Sequence, residues 1–179
     1  MEGTMRKLLD GIYLGSGALA GIFLILIAIL SLMQIIGRLL GFAAHSFDEF
    51  AGYCMAASSF LGLAHTFRRN EHIRVSLLVD RLKGKARRGA EILCLAAAFS
   101  LLLFFTYYAI EMTWFSFRFN DVSQGLVPVS LWIPQSGMAL GLALMTLALA
   151  DDLLVVLARG EASYLAAERK KLISMSESL

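Results

Sequence analysis

Charge is scarce in this chain: Asp, Glu, Lys and Arg together make up 17% of 179 residues, against about 25% in an ordinary soluble domain. With 58% hydrophobic residues beside it, that scarcity argues against a water-soluble domain and for a membrane protein. Cysteine is scarcer still. Cys54 and Cys94 are too few for a disulfide framework, and they open successive apolar segments, so they lie near opposite membrane faces if those segments cross in opposite directions. The three histidines, His45, His65 and His72, are dispersed, and no metal-ligand cluster can be assembled from them. No phosphate-cradling glycine motif and no Cys/His or Ser/His/Asp constellation is visible, so neither a cofactor nor a catalytic residue is expected. The only two prolines, Pro128 and Pro134, stand near the beginning of the last apolar segment. No half of the chain repeats the other, which argues against a self-contained transporter built from inverted repeats.

What the chain does have is long uncharged runs: Gly11 to Gly37 (27 residues), Phe50 to Phe67 (18), Ile92 to Ile110 (19) and Val122 to Ala150 (29). At about 1.5 Å per helical residue, each approaches or exceeds the length that crosses a hydrocarbon core of about 30 Å. The first run follows a basic start, yet it is nearly twice as long as a signal-peptide core of about 7–15 residues, so it reads as an uncleaved span. The expected fold is therefore an all-α integral membrane protein. Its single membrane domain, 1–179, has four spans near 12–37, 48–67, 89–116 and 130–158 and a tail over 160–179.

Local signals set the helix ends and contacts. Ser46 and Glu49 have capping-box spacing, and Asp48 with Glu49 suits the positive end of the second helix dipole, as Arg68 and Arg69 suit the other end. Pro134 fits a first helical turn, which starts the fourth helix near Ser130 to Ile133. The pairs Gly11/Gly15, Gly17/Gly21 and Gly137/Gly141 have the small-xxx-small spacing that lets helices approach closely in lipid.

The connection after the second span carries eight of the sixteen Lys and Arg residues between Arg68 and Arg88. Val75, Leu78, Val79, Leu82 and Ala86 fall on one helical face, while Arg74, Arg81, Lys85 and Arg88 form a basic line beside it. That pattern predicts an amphipathic interfacial helix near 72–88, able to take anionic lipid head groups; without an aromatic platform it does not suit nucleic acid. Fourteen of the sixteen basic residues lie in the two termini and this connection, against Arg38 and Arg118 in the other two connections. By the positive-inside rule both termini are cytoplasmic, and Trp114 and Trp132 mark the outer interface.

Ionisable residues at helix ends are the remaining candidates. Arg38, Asp48, Glu49 and Glu111 collect at the outer level, where a paired network including Arg38 or Arg118 would set how the helix ends meet. At the inner level Asp151 and Asp152 either meet Arg68, Arg69 or Arg74 or simply end the fourth span in water. His65, within a turn of Arg68, reads as structural or interfacial rather than as part of an ion path.

The stretch DEFAGYCMAASSFLGLAHTFRRNEHIRVSLLVDRL, followed some fifty residues later by VPVSLWIPQSGMALGLALMTL, resembles the small membrane subunit of tripartite ATP-independent periplasmic (TRAP) transporters. The specific parts are Glu49 opening the second span, the Arg-rich exit to His72-Ile73-Arg74-Val75, and Trp132, Pro134 and Gln135 opening the fourth. One departure is Ser76, where the family often has an acidic residue. The resemblance implies a non-catalytic subunit of the bacterial inner membrane that scaffolds a large permease subunit. That partner carries the sodium and substrate sites, and a periplasmic substrate-binding protein delivers an organic anion such as a carboxylate or sialic acid. An independent small transporter or channel, or a membrane anchor for an enzyme, are the other classes the residues leave open.

Overall fold

In the computed structural model, which describes residues 2–41, 46–68 and 85–158, the uncharged runs become four long helices. They are α1 (Glu2–Leu40, 39 residues), α2 (Phe47–Arg68, 22 residues), α3 (Lys85–Phe119, 35 residues) and α4 (Trp132–Leu157, 26 residues). Three stretches within them, Leu9–Leu40, Ile92–Phe119 and Trp132–Leu157, are long and apolar enough to cross a membrane. Among the described residues the only β pairing is an isolated antiparallel bridge, Val122 with Ser130.

Helix ends follow local chemistry. Gly41 takes φ 78° and stops α1, and Asn120, at φ 52°, stops α3; this left-handed conformation costs glycine nothing and asparagine little. Pro134 lies in the first turn of α4, where a missing N–H leaves no helical bond unmade. Residues 85–88, expected to close the interfacial helix, instead form the first turn of α3, which runs unbroken to Phe119. The rest of that expected helix, residues 72–84, lies outside the described residues, as does the tail expected over 160–179.

Packing runs in the order α1, α2, α4, α3, so α2 and α4 are central and α1 and α3 flank them. Contact with α3 and α2 buries Ala139, Leu142, Met145, Thr146, Leu149 and Val156 of α4 at spacings of three and four. On α3 the matching seam is Leu95, Thr106, Ala109 and Ser116, with Phe99, Leu102 and Thr113 half buried between them. Midway along it Thr146 Oγ1 donates to the Leu142 carbonyl at 2.9 Å, which leaves the Thr106 hydroxyl to donate to Thr146 at 2.8 Å. The outward faces stay apolar: Leu24 and Ile25 of α1 are each 62% exposed, which lipid tolerates and water would not.

Candidate functional site

The α1–α2 seam is built on small residues and one imidazole. Gly17 lies directly under the His65 ring, where a Cβ would stand 2.6 Å from Cγ and 2.8 Å from Nδ1. This approach carries Nδ1 to 3.1 Å from the Tyr13 carbonyl, so Nδ1 bears a proton and donates. Ser58 Oγ donates to the Ala20 carbonyl at 2.9 Å one step along the same seam. His65 therefore ties two helices together, the structural role expected for it. The partner it finds on α1 lies 52 residues away in the chain, beyond the reach of any local pattern.

The α2–α4 seam is closer still. A Cβ on Gly141 would meet the backbone carbonyl of Phe60, with the oxygen at 2.5 Å and the Phe60 Cβ at 2.7 Å, and one on Gly137 would stand 3.2 Å from the Ala57 Cβ. Both glycines of this expected pair are used. Of the other two pairs only Gly17 is, since Gly11, Gly15 and Gly21 face open space.

At the opposite end of α2, Glu49 is clasped. Tyr53 Oη, one turn on, donates to Glu49 Oε1 at 2.5 Å, and the Ser123 side chain also hydrogen-bonds the carboxylate. Ser123 sits in the α3–α4 connection, held by Ser123 N to Val129 O at 2.8 Å and Leu131 N to Asp121 O at 2.9 Å. Ser123 Oγ also stands 3.4 Å from the Val127 carbonyl and accepts from the Val129 N–H at 3.2 Å. Gly125 lies against that carboxylate, leaving no room for a side chain. Glu49 thus holds the connection down instead of turning back on Ser46 as a capping box would. This clasp was not legible in the sequence, because Glu49 and Ser123 meet only through the tertiary fold.

The other candidates are spread out. Asp48 is exposed in the first turn of α2, Arg38 is exposed in the last turn of α1, and Glu111 is half buried on α3. With α1 and α3 on the two flanks of the bundle, Arg38 and Glu111 of the expected outer group are carried on opposite sides of it. Trp132 packs edge-on against Phe117, with ring centroids 5.6 Å apart, and shares an apolar groove with Trp114. The Gln135 Oε1 is buried, without a hydrogen bond among the described residues. At the other end Asp152 is fully buried and Asp151 half buried. Their candidate partners Arg69 and Arg74, the Arg68 side chain and His72 lie outside the described residues. Cys54 and Cys94 are free thiols, and no three His, Cys, Asp or Glu among the described residues are grouped to hold a metal.

Long apolar helices closed on each other by glycine and hydroxyl contacts define the class: a multi-helix membrane protein. Within that class, residues 27–159 match the family model of tripartite ATP-independent periplasmic transporters, DctQ component. The chain belongs to that family, the small permease component of TRAP transporters. In such systems this component works with a large membrane subunit, DctM, and a substrate-binding protein. No curated protein matches the sequence.

Proposed function

We propose that this chain is the small, non-catalytic scaffold subunit of a TRAP transporter, bracing the large permease subunit during sodium-driven, binding-protein-dependent uptake of an organic anion. The carrying observation is how α2 is clamped. Gly17 lies against the His65 ring on one side, which is hydrogen-bonded to the Tyr13 carbonyl, and Gly141 lies against the Phe60 backbone on the other, close contacts that leave little freedom to slide. Such a bundle suits a static brace for a partner that moves.

In this reading α2 is the fourth span. Its 22 residues reach about 33 Å at about 1.5 Å each, and its lower hydropathy is tolerated because Ser58 and His65 face α1 rather than lipid. The distribution of basic residues supports an inner-membrane protein with both termini cytoplasmic. The basic connection through Arg74 and Arg81 would then rest on anionic lipid and anchor the scaffold. Charge reversal at both positions that left insertion and uptake intact would refute that anchoring.

The test of the main proposal is reconstitution. Purified in mild detergent, the tagged chain is expected to bring down a large polytopic subunit at a fixed ratio. Liposomes holding both, with the binding protein and a sodium gradient, should take up solute, and liposomes holding this chain alone should not. Flux through the isolated chain would instead support an independent transporter, and co-purification with a soluble enzyme would support an anchor.

A further inference from the structure

We infer that the outward face of α3, carrying Phe104, Tyr107, Tyr108 and Glu111, is the surface that docks on the large membrane subunit; this rests on the scaffold reading above. At about 100° per residue, Phe104, Tyr107, Tyr108, Glu111 and Phe115 all fall within roughly 60° of the direction opposite the Leu95–Thr106–Ala109–Ser116 seam. They face away from α4. Phe104 is 57% exposed, Tyr107 62% and Tyr108 52%, and the Phe104 and Tyr108 rings lie 4.6 Å apart as a ladder along the helix.

Depth makes this face unsuited to lipid. Tyr107 and Tyr108 precede Glu111 by one turn, inside the uncharged run from Ile92 to Ile110. Helical side chains slant toward the N-terminal end, so both phenol tips reach away from the Glu111 level and further into that run. Neither hydroxyl has a hydrogen-bond partner among the described residues, and neither has the Glu111 carboxylate. Hydrocarbon offers no acceptor for two phenols that reach into the uncharged run. The outward face of α1 is the contrast: Ile22, Ile25, Ile29, Leu32 and Met33 are exposed and carry no polar hydrogen. That face suits lipid.

A second copy of this chain does not complete the α3 face. A two-fold axis along the membrane normal would run two α3 helices parallel and set Glu111 beside Glu111, two like charges facing each other. The fitting occupant is a different membrane protein that presents hydrogen-bond acceptors at the tyrosine level and a cationic or amide donor at the Glu111 level. In a TRAP system the large subunit is the membrane-embedded partner.

The experiment places a benzophenone amino acid at Phe104, Tyr108 or Phe115, and separately at Ile25 or Ile29, in the chain co-expressed with its cognate large subunit. Illumination of membranes is expected to give adducts with the large subunit from the α3 positions and none from α1. Adducts from α1 alone, or adducts of two copies of this chain, would overturn the assignment while leaving the scaffold reading standing. Failure of the unsubstituted chain to bring down the large subunit at all would instead refute that reading, and this inference with it. As a second measurement, E111Q that elutes from size exclusion like the wild-type chain is expected to bind the large subunit about tenfold more weakly, the worth of one charge-assisted hydrogen bond. Unchanged binding by E111Q together with Y107F/Y108F would overturn the polar basis of the docking.

Discussion

Replacing Gly141 by alanine tests the clamp on α2 directly. The added Cβ would stand 2.5 Å from the Phe60 carbonyl oxygen and 2.7 Å from the Phe60 Cβ, where an ordinary contact is 3.4–4 Å. The neighbour is backbone in the middle of a helix, so it cannot swing aside as a flexible side chain would, and α2 and α4 must separate by nearly 1 Å. That displacement would also loosen Gly137 from Ala57 and the buried cluster of Ala64, Met145, Ala148 and Leu149. Overpacking a well-filled core costs about 1–3 kcal/mol, a large share of a total stability of about 5–15 kcal/mol. The assay is thermal unfolding in detergent, followed by the monodisperse fraction on size exclusion, with Gly52→Ala and Gly15→Ala as controls. Both control positions face open space, so alanine there adds helix propensity without a clash and should leave Tm unchanged or raise it. Gly141→Ala should lower Tm by several degrees. A Gly141→Ala protein as stable as the two controls would refute the claim that the α2–α4 seam is closed at backbone level.

Other outcomes follow from the same contacts. Gly17→Leu should push His65 off the Tyr13 carbonyl and destabilise the α1–α2 pair by about 1–3 kcal/mol, read by the same unfolding assay. Gly125→Val should lift the α3–α4 connection from Glu49, seen as faster hydrogen exchange at the Ser123 and Leu131 amides; unchanged exchange would mean the clasp does not order that connection. Thr146→Val removes the hydroxyl that Thr106 meets and should cost about 0.6 kcal/mol, at most about 1.7, because Thr106 can turn back on its own helix. Arg38→Ala, which the sequence pattern alone places in an outer ionic network, should change stability by no more than about 0.5 kcal/mol, since its side chain is exposed and the structure does not bring Glu111 to it.

The sequence by itself determined the class of this protein and where its helices lie. Uncharged runs of 18 to 29 residues admit few structures other than membrane helices, because hydrocarbon satisfies no backbone group. The motifs around Glu49, Arg68 and Trp132 carried the family, which the match over residues 27–159 then showed. Glycine spacing marked Gly137 and Gly141, but it marked Gly11, Gly15 and Gly21 equally, because periodicity gives a face and not the neighbour that face meets. Only the tertiary structure decided which small residues are closed upon, that His65 reaches the Tyr13 carbonyl, and that Glu49 holds the α3–α4 connection rather than its own helix start. It also separated Arg38 from Glu111, by placing α2 and α4 between the helices that carry them. Helix formation is written in residues a few positions apart. Helix order in a bundle is set by contacts across tens of residues, and in lipid every helix presents an apolar surface, so hydropathy cannot say which surface meets protein.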